Sequence, residues 1–449
     1  MNRYITEPER KIPIIAEADL CVAGGSCTGL FAAIRAARLG LQVVLIERGN
    51  MLGGTAVQGL VNVWHSIRDT DFHDQIIAGL TQEVLDRLAG QNALNVNPTS
   101  ASSAFIFSPW ELAIILDQLV QENRIRLMLH TSYTAVAAEN RRLQAIIVEN
   151  ADGRGAIQAK FFIDATGDGR IARDLGLPAY ESAAMQPPSA CFHLLGDMKN
   201  VSIGQLITDH GKEFGLDDDW GWSTVVPSCP GITMRADNHV FGVRCHKAED
   251  LTKAELEGRR LAKAFFELVK KYGDPGTHYA LTALCSSIGI RDTLHFETAF
   301  KATEEALLTG KRYDDPIING TYRVDIHHLH DNGITFRYLD GREETLYGKF
   351  NKRIVKNWRE AWGITTEPAK YYQVPYEILV NRYDNFIAAG RMINADDGAF
   401  GALRVMVNLN QMGEAAGVAA ALCVSRNKTP AQLSGVDVTK TLRAGGSAL

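Results

Sequence analysis

The sequence predicts an α/β fold in which a parallel sheet is joined to an antiparallel meander and interrupted by an inserted α+β region. Residues 20–47 pass from an apolar run through a glycine turn and an amphipathic helix into a second apolar run, the pattern of a βαβ unit. Apolar runs that end in glycine turns recur at 161–169 and 386–401. Between about 185 and 375, Pro, Trp, His and charged residues become frequent. We therefore expect one domain built from both ends of the chain and a second domain inserted between them.

Composition and charge argue against several classes of protein. The 449 residues suffice for two domains, and 46% hydrophobic with 22% charged residues is ordinary for a folded globular chain. A net charge of −5 without a long basic run argues against nucleic acid as a partner, and no apolar stretch reaches the length of a membrane span. Residues 1–19 lack the apolar core of a secretion signal, and the seven cysteines form no C-x-x-C pair. We therefore expect reduced thiols and a cytoplasmic location.

The first predicted unit, residues 20–47, carries the pattern of a dinucleotide-binding site. A glycine turn at the N-terminus of a helix can hold a pyrophosphate, and an acid after the second strand, here Glu47, can bind a ribose hydroxyl. The turn departs from the usual pattern because Ser26 occupies the second glycine position. Serine is small and its hydroxyl can donate to a phosphate oxygen, so we expect it to be tolerated. The alternative is an ordinary α/β unit whose glycines only form a turn.

The region that follows is predicted to hold an irregular loop, a helix and a meander. Residues 48–66 are rich in glycine and irregular. Ser108 suits a helix N-cap and Pro109 the first helical position, which predicts a helix to about Asn123. Three alternating segments then predict strands of an antiparallel meander, with a turn at residues 150–153. These segments are 125–138, 143–149 and 155–163.

Two helices and a strand are predicted in the rest of the chain. Residues 386–390 form a buried strand, and residues 399–424 form one long helix rich in Ala and Gly, which permits close packing against a sheet. No second glycine-turn unit occurs in 185–375, so a dedicated nicotinamide domain is not expected. The other helix, 252–272, offers a core face. This face consists of Leu256, Ala262, Phe265, Phe266 and Leu268.

Four segments of the chain resemble the FAD-dependent oxidoreductases related to glutathione-reductase-type and fumarate-reductase-type flavoproteins. The resemblance implies a Rossmann-like FAD-binding domain at 14–184 and 376–430, an inserted substrate domain at 185–375, and non-covalent FAD. Shorter stretches at 251–260 and 287–293 also resemble the middle region of that family. The four segments are CVAGGSCTGLFAAIRAARLGLQVVLIER (21–48), LGGTAVQG (52–59), FIDATGDGRIARDLG (162–176) and VPYEILVNRYDNFIAAGRMINADDGAFGALRVMVNLNQMGEAAGVAAA (374–420).

The same resemblance implies which residues contact FAD. Small residues would allow close approach, and a helix N-terminus would stabilise negative charge on the reduced flavin. Cys27 is interpreted as a small residue at a crowded turn rather than a reactive thiol. The implied contacts are Gly24, Gly25, Ser26, Cys27 and Gly29 at the pyrophosphate; Glu47 at the adenosine ribose; Arg48 and Val136 at the adenine; Gly53, Gly54 and Thr55 along the flavin; Ala165, Gly167 and Asp168 near the pyrophosphate; Gly390 and Arg391 at the ribityl chain; and Ala399, Gly401, Ala402 and Leu403 at the flavin N1/O2 edge.

Three residues are candidates for catalysis or substrate binding. Arg404 lies in the segment implied to face the flavin, and its alternative role is a structural pair with Asp396 or Asp397. Arg291 matches an arginine of the family and would contact substrate or flavin. His65 would act as a base or contact the substrate, with covalent flavin attachment as the remaining alternative.

The other histidines are not expected to form a metal site. His327 and His328, with Asp325 and His330, resemble a metal cluster, but adjacent histidines are poor joint ligands and no C/H spacing supports them. We therefore predict no metal. Three further histidines are interpreted as ordinary polar or packing residues. They are His193, His246 and His295.

The leading functional hypothesis is an FAD-dependent oxidoreductase that passes a hydride between flavin N5 and a small polar metabolite. The first alternative is a flavin monooxygenase reduced by NAD(P)H. The second is a non-redox flavoprotein or an FAD-binding subunit of a complex. The expected partners are a small-molecule substrate and a separate electron donor or acceptor, and a homo-oligomer stays open.

Overall fold

The computed structural model describes residues 3–219, 221–348 and 352–449. Its helices alternate with strands along most of the chain. Four short 3₁₀ turns lie at Gly54–Ala56, Gly211–Phe214, Tyr376–Leu379 and Pro430–Gln432. The α-helices of the described ranges are α1 (Cys27–Arg38), α2 (Leu80–Gly90), α3 (Pro109–Glu122), α4 (Arg170–Asp174), α5 (Ile203–His210), α6 (Ala248–Tyr272), α7 (Glu304–Leu308), α8 (Trp358–Ala361), α9 (Asp397–Leu403), α10 (Met406–Arg426) and α11 (Gly435–Ala444).

The strands form one large sheet and several small ones. The large sheet lies at the two ends of the chain, and the small ones lie mainly in the middle. The strands are β1 (Ile14–Ala23), β2 (Val43–Ile46), β3 (Val63–Trp64), β4 (Leu94–Val96), β5 (Phe105–Phe107), β6 (Arg126–Met128), β7 (Ser132–Glu139), β8 (Arg142–Asn150), β9 (Gly153–Asp164), β10 (Ala179–Glu181), β11 (Phe192–Leu195), β12 (Trp222–Val225), β13 (Ile232–Ala236), β14 (Ala280–Leu284), β15 (Leu294–Phe296), β16 (Pro316–Gly320), β17 (Val324–His327), β18 (Gly333–Arg337), β19 (Arg342–Tyr347), β20 (Lys352–Asn357), β21 (Tyr372–Pro375) and β22 (Phe386–Ala388).

The large sheet has the strand order β6-β2-β1-β9-β8-β7, with β22 also paired to β9. The pairs among β6, β2, β1, β9 and β22 are parallel, whereas β7, β8 and β9 are antiparallel. The predicted parallel sheet with a meander is therefore confirmed. One boundary is wrong, because the predicted strand 125–138 is two strands. The left-handed backbone of His130 (φ 50°) separates β6, at the parallel edge, from β7 in the meander.

Two helices pack very closely beneath this sheet. The carbonyl oxygens of Thr28 and Ala32 in α1 lie only 2.1 and 2.2 Å from where a Cβ on Gly413 or Gly417 of α10 would stand. Glycine at both positions is what lets the backbones touch. The predicted small-residue helix 399–424 is nevertheless wrong as one element. It is divided into α9 and α10, because Val405 between them is extended (ψ 146°).

The middle of the chain adds a sheet of order β12-β13-β11-β14, covered by α5 and α6, and a meander of order β17-β18-β19-β20. Ala262, Phe265 and Leu268 of α6 are buried as predicted, but Leu256 is 60% exposed. Leu256 follows the buried Ala254 by two positions, which at 100° per residue places it on the opposite side of the helix.

Parts of the predicted insert also join the main core. Phe296 of β15 packs in the cluster that contains Phe162 of β9, and Ile318 of β16 shares a cluster with residues of α1 and α10. The division of the chain into two domains stays a prediction. Among the helices of the described ranges, none combines the length and apolar character that crossing a bilayer requires.

Candidate active site

A cavity of about 310 Å³ opens where the carboxyl ends of β1 and β9 meet. A smaller cavity of about 40 Å³ adjoins it and shares Gly24, Glu47, Arg48 and Thr166 with it. Together they form one elongated cleft at the sheet edge where α/β proteins bind ligands. The lining of the larger cavity includes residues 24, 26–28, 53–55, 165–167, 287–291, 322–323 and 404–406.

The glycine turn after β1 leaves no room for side chains. Gly24 has φ +107°, and a Cβ there would stand 2.2 Å from the carbonyl oxygen of Ala165. A Cβ on Gly29 would stand 1.9 Å from the carbonyl oxygen of Gly24. The amide of Gly53 donates to the carbonyl of Gly25 at 2.8 Å, which joins the second glycine loop to the first. The turn therefore presents bare backbone to the cleft, as a pyrophosphate site requires.

Two further residues of this turn, Ser26 and Cys27, line the larger cavity. Ser26 is the N-cap of α1, yet its side chain makes no capping hydrogen bond, so its hydroxyl is available to a ligand in the cavity. Burial raises the pKa of Cys27 to about 12, which agrees with a packing residue rather than a reactive thiol.

Glu47 fixes the turn from the end of β2. Its Oε2 accepts from the Gly25 amide and its Oε1 from the Gly49 amide, both at 2.7 Å. A carboxylate has further lone pairs, so Glu47 can also accept from ribose hydroxyls in the cleft. Val136, expected at the adenine, lines neither cavity. Thr131, Ser132 and Tyr133 line the smaller one instead.

Asp164, at the end of β9, is a residue that the sequence reasoning missed. It is fully buried and accepts four hydrogen bonds, from the Thr166 amide and hydroxyl and from the amides of Ile171 and Ala172. Burial raises the pKa of Asp164, and the four hydrogen bonds oppose that rise. The carboxylate thus shapes the loop that carries Gly167 and Asp168. The sequence does carry a signal for Asp164, because it is an acidic residue that ends an apolar strand directly before a glycine turn.

This loop meets the strand β22 at the cleft. Asp168 Oδ1 accepts from Arg391 at 2.6 Å, so two residues predicted separately as FAD contacts form an ion pair. Arg48 approaches the other oxygen of Asp168 at 3.9 Å. Gly390 and Arg391 both line the larger cavity, as expected for residues beside the ribityl chain.

The helix N-terminus that lines the cavity lies later in the chain than the one predicted at the flavin. Asp396 caps α9 by accepting from the Ala399 amide at 2.8 Å. Four expected contacts are fully buried and line neither cavity: Ala399, Gly401, Ala402 and Leu403. Because the helix breaks at Val405, the cavity wall is formed by Arg404, Val405 and Met406. The N-terminus of α10, not that of α9, can therefore stabilise negative charge there.

The three candidates for catalysis or substrate binding line the same cavity. Arg404 forms an ion pair with Asp325, at 3.0 Å from Oδ2, and not with Asp396 or Asp397 as the alternative role required. Arg291 donates to the carbonyl of Pro187 and to Ser189 Oγ at 2.8 and 2.7 Å. Burial, with the repulsion of Arg404, lowers the pKa of Arg291 to about 10, which leaves it charged at neutral pH.

Tyr322, Arg323 and Asp325 complete this end of the cavity, and sequence reasoning did not predict them as site residues. The Tyr322 hydroxyl donates to Asp325 Oδ2 at 2.8 Å, and the Tyr322 ring meets the His65 ring edge-on at 4.2 Å. Arg323 lies 3.9 Å above the ring of Phe336. These residues belong to the stretch TYRVDIH, in which no motif marks them.

Three arginines thus surround one carboxylate, and they determine the local protonation states. Burial together with Arg323 and Arg404 lowers the pKa of His65 to about 3, so His65 is neutral at physiological pH. Although burial raises it, Arg404 and Arg323 hold the pKa of Asp325 below its usual value. The excess of positive charge suits a ligand that carries an anionic group.

His327 and His328 do not form a metal-binding cluster within the described parts of the chain. His328 hydrogen-bonds Asp331 and Thr335, each at 2.8 Å, away from His327. Across the described ranges, no group of three or more His, Cys, Asp or Glu side chains could hold a metal ion.

Comparison with known proteins gives one match over nearly the whole chain and several partial or distant ones. The mitochondrial dihydrolipoyl dehydrogenase of Schizosaccharomyces pombe is 29% identical over 163 residues, which span 34% of this chain and only 28% of that enzyme. A geranylgeranyl bacteriochlorophyll reductase-like protein from Thermoplasma acidophilum shares 12% identity over 96% of this chain and 82% of its own, with a TM-score of 0.45. The p-nitrophenol 4-monooxygenase of Pseudomonas putida shares 11% identity over 96% and 84%, also with a TM-score of 0.45.

The match over nearly the whole chain is to a family. The family model for FAD dependent oxidoreductases matches residues 19–443, from β1 through α11. The bare glycine turn, the anchored Glu47 and the cleft are the features that this cofactor needs. The chain therefore belongs to the FAD-dependent oxidoreductase family, and FAD is its cofactor.

Proposed function

We propose that the protein passes a hydride between N5 of the bound flavin and a carbon of a small polar metabolite that carries an anionic group. The observation that carries this proposal is a pair of buried arginine donors without acceptors. The Nε atoms of Arg323 and Arg404 are buried and have no hydrogen-bond partner in the described parts of the chain. Both side chains line the cavity, so an anionic ligand group there would satisfy them.

Arginine suits this task because its planar fork binds a carboxylate through two parallel hydrogen bonds. Arg404 is held in place by Asp325, and Arg323 by the ring of Phe336. Arg291, fixed by Pro187 and Ser189, adds a third positive charge to the same cavity. The geometry thus supports recognition of an anionic group over a neutral polyhydroxylated one.

His65 is assigned to substrate contact. Its low pKa keeps the imidazole neutral, so it can donate and accept hydrogen bonds without adding charge. Its Nδ1 is buried and has no hydrogen-bond partner among the residues that the structure describes, which leaves a polar atom for the ligand to satisfy. Tyr322 restrains the ring from one side.

The test is anaerobic spectrophotometry of the purified holoprotein with a panel of hydroxy acids, amino acids and sugars, each acid paired with its neutral amide. Bleaching of the flavin absorbance by an acid and not by its amide supports the proposal. Bleaching by NADPH alone, followed by oxygen-dependent turnover of an added aromatic compound, would favour a monooxygenase. Turnover that survives replacement of FAD by a deazaflavin would instead indicate a non-redox role.

A further inference from the structure

A row of four buried titratable side chains extends behind the wall of the cavity. Asp219, His239, His327 and Asp325 are each at most 5% exposed. Of these four residues, only Asp325 has a role in the proposed function, where it holds Arg404. His327 entered the sequence analysis only as part of a metal cluster that was rejected. His327 lines the cavity, and His239 lies behind it, with the two ring centroids 4.3 Å apart.

Hydrogen bonds fix the protonation pattern of His239. Asp219 Oδ2 accepts from the His239 amide at 2.7 Å and lies 2.8 Å from Nδ1 of the same residue. The carboxylate therefore holds the proton on Nδ1 and leaves Nε2 as an acceptor. This Nε2 is buried and has no hydrogen-bond partner in the described ranges.

A second acceptor without a partner faces His327. Asp325 Oδ1 lies 3.7 Å from His327 Nε2 and makes no hydrogen bond within the described parts of the chain. A proton on His327 Nε2 would thus have Asp325 Oδ1 as an acceptor 3.7 Å away, and the His239 ring, whose Nε2 is a further acceptor, lies 4.3 Å away between centroids. His65 differs, because Arg323 and Arg404 oppose its protonation more strongly than Asp325 favours it, and it lies against the ring of Tyr322.

Both imidazoles of the pair are neutral at physiological pH before an anionic ligand binds. Burial first, then His239, Arg291 and Arg404, keep the pKa of His327 well below its usual value, and burial also lowers the pKa of His239. Arg291 and Arg404 belong to the cluster assigned to the anionic group of the substrate. The titratable and charged groups that act on the two rings are Asp219, Asp325, Arg291, Arg404 and His328.

We infer that the His239–His327 pair takes up a proton from solvent when an anionic ligand neutralises the arginines, with His327 as the carrier at the cavity wall. Anion binding removes the repulsion that disfavours imidazolium, while Asp219, Asp325 and the free acceptors remain. The proton comes from the buffer, and no bond of the ligand changes. This inference rests on the proposed function, because it needs an anionic ligand in the cavity.

The experiment is isothermal titration of the holoprotein with malonate, in phosphate and in Tris at the same pH, with malonamide as the neutral control. The difference in observed heat between buffers gives the number of protons taken up. We expect uptake approaching about one proton per malonate in the wild type. His327→Gln and His239→Gln should bind malonate within a few-fold of wild type but lose the buffer dependence. The control His330→Gln, at an exposed histidine, should keep it.

Each other outcome overturns the inference. Buffer-independent heat in a wild type that binds malonate would refute the pair and leave the anionic site intact. Buffer dependence that survives in both pair variants, or is lost in His330→Gln, would assign the proton elsewhere. No binding of malonate, succinate or sulfate would refute the anionic site and the inference with it. His327→Asn and His239→Asn replace any glutamine variant that does not fold.

Discussion

Gly24→Ala should severely weaken FAD binding, because the added Cβ collides with the backbone of Ala165. That Cβ would stand 2.2 Å from the Ala165 carbonyl oxygen, and ordinary contact at 3.4 Å requires β1 and β9 to separate by about 1.2 Å. The positive φ adds roughly 1–2 kcal/mol of backbone strain. Loss of two phosphate hydrogen bonds, at about 1.5–3 kcal/mol each, weakens FAD binding by roughly two to four orders of magnitude.

The assay is the ratio of flavin to protein absorbance after purification, followed by FAD titration and thermal unfolding. Gly40→Ala is the matched control, since Gly40 has φ +93° and nothing lies within 4 Å of the added Cβ. It should lower the free energy of unfolding by about the same 1–2 kcal/mol of strain and leave FAD content unchanged. A Gly24→Ala protein with wild-type flavin content would refute the assignment of this turn to the pyrophosphate.

Three further predictions concern the arginines and the buried histidine. Arg404→Lys keeps the positive charge but loses the planar guanidinium, so the Michaelis constant for an anionic substrate should rise about tenfold or more while FAD content stays unchanged. The control Arg426→Lys, at an exposed ion pair, should change neither quantity. A Michaelis constant equal to that of the wild type would make Arg404 a structural residue. In the folded protein the pKa of His65 is about 3, below its usual value, so the unfolded chain binds a proton that the folded protein does not. The free energy of unfolding should therefore fall as the pH drops from about 6.5 toward 3, by up to about 1.4 kcal/mol per pH unit. Denaturant titrations across this range should show a shallower slope for His65→Gln, and parallel slopes would refute the neutral imidazole. Arg35→Ala leaves the buried Glu414 without its ion-pair partner and should lower the free energy of unfolding by about 3–5 kcal/mol. Arg426→Ala, at an exposed ion pair, should lower it by at most about 1 kcal/mol. An equally small decrease for Arg35→Ala in urea unfolding would contradict this prediction.

The parts of the fold that the sequence predicted are those encoded by neighbouring residues. The unit from Leu20 to Glu47 and the helix that begins at Pro109 have local signals, and the Ser108 hydroxyl caps that helix by accepting from the Glu111 amide. The break between α9 and α10 has no such signal, since no Gly or Pro stands at Arg404 or Val405. Part of its stabilisation comes from outside the segment, where the Tyr372 hydroxyl donates to the Ala402 carbonyl, and the nearby Asn408 side chain donates to the same oxygen.

The residues of the candidate site likewise fall into a group that the sequence could predict and a group that it could not. Residues of the glycine turns were predictable because close backbone approach restricts them to small types, as Gly24 and Gly29 show. Tyr322, Arg323 and Asp325 were not, because their role depends on meeting His65 and Arg404, which are far away in the chain. Their spacing matches no motif, and only the folded arrangement shows that they share a cavity.

The glycine contact between α1 and α10 has a consequence for how the cleft selects its ligand. The N-termini of both helices reach the cavity, at Cys27 and at Met406. Because Gly413 and Gly417 carry no side chains, the backbone of α10 lies directly against the backbone of α1. This packing restrains the separation of the two positive helix ends, and the cleft therefore suits a ligand whose negative groups are spaced to meet both.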